Sequence, residues 1–228
     1  MTWNVNINFS CPWILKYFYT LLQQKKNHVI IKIPKQRKGS VAMAPVLAQE
    51  KLYTVDDIYA LPDGKRAELI DGQIYYMAPP TRKHQRIVGE IFAIIHEYIN
   101  TNNGSCEVDL APFAVFLNKN NTNYVEPDIS VICDKSKLTD KGCFGAPDWI
   151  IEIVSPGSRR MDYFTKLFQY RTAGVREYWI VDPDKERITV YDFESEDTKD
   201  YTFFDSVKAN IYDDLVINFC HIANLLDI

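Results

Sequence analysis

From Tyr53 onward the apolar positions fall into blocks of helical or strand-like period, separated by turn signals. Thr54 with Asp57 three residues on has the form of an N-cap and its partner, predicting a short helix over Thr54–Leu61 stopped by Pro62-Asp-Gly64. Glu68–Met77 reads as a β-hairpin turning at Asp71-Gly72. Ile87, Val88, Ile91, Ile94, Ile95, Tyr98 and Ile99 recur at helical spacing, so a long amphipathic helix spans roughly 84–102 and closes at Asn103-Gly104. Three strand-like runs follow, Glu107–Leu117, Glu126–Cys133 and Trp149–Val154, with a loop expected over 134–147. A second helix runs from Ser158 to Thr172 and stops at Ala173-Gly174, ahead of a short apolar strand, Tyr178–Val181. A turn at Asp184-Lys185, a strand Ile188–Tyr191, a strand near Tyr201–Phe204 and a closing segment Ile217–Leu226 complete the pattern. The order helix, three strands, helix, strand predicts an α/β domain with a central mixed sheet flanked by helices.

Charge separates the first 49 residues from the rest. They hold seven of the 26 basic residues and none of the 30 acidic ones, which leaves residues 50–228 at −11. Such an acidic body does not coat nucleic acid indiscriminately, so any DNA contact needs a local basic patch or a bound metal. Residues 1–42 are set apart as a basic N-terminal extension, with 43–228 as one domain. Three readings stay open for the extension: translation that truly starts at Met43, a partner-binding arm, or a membrane-surface helix. Its apolar stretch is too short to span a bilayer and is broken by Lys16, so no membrane partner is expected. Cys11, Cys106, Cys133, Cys143 and Cys220 form no C-x-x-C pair, which predicts free thiols in a reducing cytoplasm and no structural zinc.

The chemistry is concentrated in acids at strand positions. Asp128 and Glu152 each lie in an apolar strand, where a carboxylate is costly unless paired, hydrogen-bonded or bound to a cation. On sequential strands the two suit an oxygen-donor site for Mg²⁺ or Mn²⁺; alternatively one or both face solvent. Asp162, Lys166 and Tyr170 recur every fourth residue on the second helix, the spacing of an ordinary salt bridge with an aromatic neighbour. That helix starts beside the end of the Glu152 strand, however, so Lys166 has a route to the carboxylates.

Pro127-Asp128, with Glu152 twenty-four positions on, resembles the signature of the PD-(D/E)XK nuclease superfamily. Glu68-Leu-Ile-Asp-Gly72, His84-Gln-Arg86, Ala111-Pro-Phe113, Gly145-Ala-Pro-Asp148, Glu152-Ile-Val-Ser-Pro156, Lys166, Tyr170 and Gly174–Pro183 are similar, more narrowly, to the Uma family, whose members are described as restriction endonucleases. The resemblance covers Tyr53 to Tyr191 and implies a restriction-endonuclease-like core. The superfamily places its lysine two residues after the second acid, where this chain has Val154; the Uma pattern supplies the lysine from the next helix, here Lys166.

The resemblance implies a Mg²⁺-dependent endonuclease acting on DNA. Asp128 and Glu152, with the Ile153 carbonyl, would hold the metal, and Lys166 would orient or deprotonate water and offset phosphate charge. Glu68 is the third acid, with Glu90 as the fallback. Tyr170 is expected to bond Lys166 or a phosphate, or to pack against the sheet. His84 would touch a phosphate or serve as part of a solvated basic cap. Arg82, Arg86, Arg159 and Arg160 form the expected nucleic-acid patch, and cutting both strands from a one-site chain favours a homodimer. A nuclease-like fold that binds DNA or a partner protein without turnover is the competing class.

Overall fold

The computed structural model describes residues 51–225, all within one compact unit, Gln49–Ile228. The expected extension over residues 1–42 lies outside the described residues. Helix α1 (Val55–Tyr59) begins at Thr54, whose backbone N–H donates to Asp57 Oδ2 at 2.8 Å as its pattern required. The hairpin follows as β1 (Ala67–Ile70) and β2 (Gln73–Tyr76). Asp71 and Gly72 adopt φ of 49° and 75°, the left-handed pair that a two-residue hairpin turn needs.

The main sheet has six strands: β3 (Glu107–Leu110), β5 (Ile129–Ile132), β8 (Trp149–Ile153), β9 (Glu177–Asp182), β10 (Arg187–Asp192) and β11 (Asp197–Thr202). They lie in the order β11-β10-β9-β8-β5-β3, and only β8 and β9 run parallel. The long helix α2 (Arg82–Thr101) covers one face. Its buried stripe of Ile87, Val88, Ile91, Ile95 and Ile99 packs with Ile129, Val131, Trp149, Ile151, Ile153, Trp179 and Val181. Side chains alternate across a strand. The same strands therefore send Ile132, Ile150, Tyr178 and Ile180 to the opposite face, where Tyr170 and Val175 meet them.

Opposite α2 lies the helix that ends in α3 (Leu167–Ala173). Its first part, Met161–Lys166, is π-helical, a widened turn that the apolar period did not reveal. Gly174 closes it at φ 96°. The chain ends in the hairpin β12 (Ser206–Lys208) and β13 (Val216–Asn218), followed by α4 (Phe219–Leu225).

Four expectations are corrected. The run 107–117 is two strands, because the chain leaves the main sheet after Leu110 and continues in another sheet as β4 (Val115–Phe116). The loop expected over 134–147 contains a 3-10 turn, β6 (Leu138–Thr139) and β7 (Gly142–Phe144); with β4 these strands form a separate three-stranded sheet. The strand expected at 201–204 spans 197–202 instead, an edge strand whose exposed charged residues masked its period. Cys106 and Cys133, expected as free thiols, form a disulfide. They flank the first residue pair of the β3–β5 ladder, Glu107 opposite Ile132, a proximity that spacing along the chain does not disclose. Among the described residues no helix is long and apolar enough to cross a membrane.

Candidate active site

The site grows from the β5–β8 ladder. Ile129 pairs with Ile151, and Ser130 with Ile150. One step beyond, the same register sets Asp128 opposite Glu152, and alternation turns both off the face that the α2 isoleucines cover. Asp128 Oδ2 accepts the Ile153 backbone N–H at 2.8 Å. Glu152 is buried, whereas the Asp128 side chain keeps 18% exposure, so Asp128 marks the solvent-facing side of the cluster.

Glu68 arrives from β1. Leu69 and Tyr124 exchange backbone hydrogen bonds at 2.7 and 2.8 Å, which lays the hairpin along the strand leading to Asp128. Glu68 Oε1 then accepts the Glu126 N–H at 3.0 Å. Lys166 enters from the π-helical turn and places its Nζ 2.8 Å from Glu68 Oε1 and 2.9 Å from Glu152 Oε1. Tyr170, one turn on, donates to Glu152 Oε1 at 2.6 Å; its partner is the acid rather than the lysine. All four of these side chains are buried, and the apolar face they share makes each contact strongly electrostatic.

Charge sets the protonation of the cluster. Burial disfavours the Lys166 ammonium, but the facing Glu152, Glu68 and Asp162 carboxylates outweigh it and hold its pKa well above the ordinary lysine value. Burial pushes Glu152 up to about 8; Lys166 opposes the rise, and Asp128, Asp162 and Glu68 add to it. The Tyr170 hydroxyl is raised well above its ordinary value by burial and by the nearby acids.

The structure separates the remaining expected residues. His84 is not a solvated cap: it is buried, with Nε2 3.1 Å from Asp128 Oδ2. Burial opposes its charge, yet the hydrogen bond and charge of Asp128 raise its pKa on balance. Glu90 stays on the outer side of α2, paired with Arg86 at 3.2 Å, so Glu68 and not Glu90 meets the lysine. Arg159 is committed to Asp182 at 3.0 Å and Asp184 at 3.4 Å, since its helix starts over the end of β9. Of the four arginines expected to form a patch, Arg82 and Arg160 are exposed and have no carboxylate partner among the described residues.

Asp162 is the residue that sequence reasoning undervalued. Its i,i+4 spacing to Lys166 was visible, but spacing cannot tell a surface pair from a buried one. The carboxylate is 2% exposed, 3.9 Å from Lys166 Nζ, and its Oδ2 has no hydrogen-bond partner. Burial raises Asp162 to about 6, with Lys166 and a Ser158 hydrogen bond opposing.

Glu68, Asp128, Glu152 and Asp162 thus face a single lysine and a single histidine. Among the described residues no group of three His, Cys, Asp or Glu side chains is placed to hold a metal ion. Two oxygen-donor carboxylates at one edge, an orphaned carboxylate oxygen behind them and an excess of acid nonetheless fit a hard divalent cation, which commonly takes one or two carboxylates and completes its shell with water and phosphate.

Residues 55–212 match the Uma2 family, described as "Putative restriction endonuclease". The chain belongs to the Uma2 family. An uncharacterized protein of Synechocystis sp. is 25% identical over 128 residues, which cover 56% of this chain and 66% of that protein, just under two thirds of its length. The solved structure of a putative nuclease belonging to DUF820, from Anabaena variabilis, matches with a TM-score of 0.63 at 22% identity, over 76% of this chain and 98% of that one. That likeness shows the fold of this Uma2 member, a central mixed sheet flanked by helices.

Proposed function

We propose that this Uma2 protein is a metal-dependent endonuclease that hydrolyses DNA phosphodiester bonds. The observation that carries the reading is the register of β5 against β8, which sets Asp128 opposite Glu152 with Lys166 bonded to the latter. Asp128 and Glu152, with the Ile153 carbonyl, would hold Mg²⁺, for which Mn²⁺ could substitute. When bound, the ion supplies charge that polarises the scissile phosphate and lowers the pKa of water.

The protein's own groups do the rest. Lys166 remains an ammonium among its acids, which supports electrostatic work on developing phosphate charge over deprotonation of water. Glu68 positions Lys166, and Tyr170 holds Oε1 of Glu152 in place. His84 orients Asp128 from the buried side. Arg82 and Arg160 supply the phosphate contacts that position DNA on an acidic body. Double-strand cutting would bring two copies together.

The test is nicking of supercoiled plasmid in Mg²⁺ or Mn²⁺ by the wild type and by Asp128→Ala, Glu152→Ala and Lys166→Ala. Metal-dependent nicking that is lost in all three variants is expected. An inactive wild type would leave DNA binding without turnover, or another substrate, as the function; activity that survives the substitutions would refute this assignment of the site.

A further inference from the structure

A cavity of about 290 Å³ opens between α1 and the β6–β7 turn, lined by Tyr59, Phe113, Tyr124, Glu126, Asp140 and Lys141 among others. The cluster around Lys166 contributes none of its walls. It sits at the small end of ligand pockets, which run from about 300 Å³ upward, so it admits one planar group and no oligomer. Two of its walls are tied to the site. Ala111, next to the Pro112–Ala114 wall, donates its N–H to the Asp128 carbonyl at 3.2 Å. Glu126 donates its own to Glu68 Oε1 at 3.0 Å.

We infer that this cavity receives a nucleobase of the strand being cut, next to the scissile phosphate, with Tyr59 as its stacking platform. The inference rests on the nuclease reading and adds to it the residues that would sense the base. Tyr59 keeps 57% of its surface exposed, and its ring is braced edge-on by Tyr124, with centroids 6.3 Å apart and planes at 76°. An aromatic face that is both open and held in place is what base stacking requires, and stacking tolerates any base.

Glu126 does not repel the polynucleotide. One of its oxygens takes Arg66 Nε at 2.9 Å and the other takes the Tyr124 hydroxyl at 2.7 Å, so its charge is compensated and its position held. The exposed Asp140 and Lys141 at the rim offer one acceptor and one donor to a base edge, or a cation to its phosphate. A purely phosphate-binding groove would not need the aromatic pair.

The experiment uses the full chain in EDTA, so that nothing is cleaved, and short single strands read by fluorescence anisotropy. One strand has an abasic backbone throughout; the other carries a single central purine on the same backbone. The purine is expected to tighten binding by about fivefold or more, the scale of one base stacked on an aromatic side chain. Tyr59→Ala should bring the ratio to one, and Tyr59→Phe, which keeps the ring, should restore it. Both variants should melt with the wild type, because Tyr59 is exposed. A wild-type ratio of one, or a ratio unchanged in Tyr59→Ala, overturns the inference. Plasmid nicking by the same preparation keeps the two claims apart: base preference without nicking removes the catalytic reading and leaves the cavity as a base pocket for a strand that is bound and not cut, and nicking without base preference removes the pocket alone.

Discussion

Lys166→Met removes the only ammonium from the buried acid cluster while keeping an unbranched side chain one atom shorter. Glu68 and Glu152 lose a partner at 2.8 and 2.9 Å, and Asp162 one at 3.9 Å. Breaking a buried ion pair by deleting one member costs about 3–5 kcal/mol. With a urea slope of about 2 kcal/mol/M, a loss of about 4 kcal/mol lowers the unfolding midpoint by about 2 M. The cost also depends on pH. Lys166 lowers the pKa of Glu152 and of Asp162, which nevertheless lie near 8 and 6. Without the ammonium both rise further, so the folded variant binds more protons than the unfolded chain, whose carboxyls titrate near 4. A carboxyl raised in the folded state stabilises below its unfolded pKa and loses that contribution as pH climbs through the folded one. The deficit of Lys166→Met should therefore be larger at pH 8 than at pH 5.5. Fluorescence of the buried Trp149 and Trp179 during urea unfolding reads both values. A deficit below about 1 kcal/mol, or one equal at the two pH values, would refute the claim that Lys166 neutralises a buried acid cluster. Adding Glu152→Gln to Lys166→Met should recover part of the loss, because one orphaned carboxylate goes with it.

Three further outcomes are expected. Glu177 is buried and accepts the N–H groups of Asn210 at 2.7 Å and Ile211 at 2.9 Å and the Trp179 indole at 2.6 Å. Glu177→Ala strands these donors and should cost about 3 kcal/mol, or about 6–12 °C in melting temperature at this chain length. A shift under 2 °C would show that the segment after β12 docks without it. A Cβ on Gly142, at φ 128°, would stand 2.2 Å from the Ala114 carbonyl oxygen, so Gly142→Ala should destabilise by about 2 kcal/mol or more in calorimetry. His84→Ala should lower the nicking rate about 10- to 100-fold through loss of the Asp128 contact, the usual effect of a partner that orients a metal ligand. Its far-UV spectrum should not change, and an unaltered rate would reduce His84 to packing.

Much of the fold was legible because it depends on local signals. The Asp71-Gly72 turn, the Thr54 cap and the isoleucine stripe of α2 each follow from conformational preference or period within a short window, and each stands where the sequence put it. The central strand was legible as well, since Glu177–Asp182 is buried along its whole length and its middle reads as an unbroken apolar run. What stayed hidden involves partners distant along the chain. Nothing in 134–147 announces a pairing with Val115–Phe116, and nothing in the cysteine spacing announces that residues 106 and 133 end neighbouring strands. An acid inside an apolar strand is costly once it is buried, so the sequence alone marked Asp128 and Glu152 as positions where compensation is needed if they face the core. Only the tertiary structure decided how that compensation is made. Strand register set the two acids opposite each other, the π-helical turn brought in Lys166 and Asp162, and the hairpin delivered Glu68 in place of Glu90. His84 went inside while Arg159 was drawn to Asp182, because electrostatic partners are chosen by distance in space, which the order of residues along a chain constrains only over a few positions.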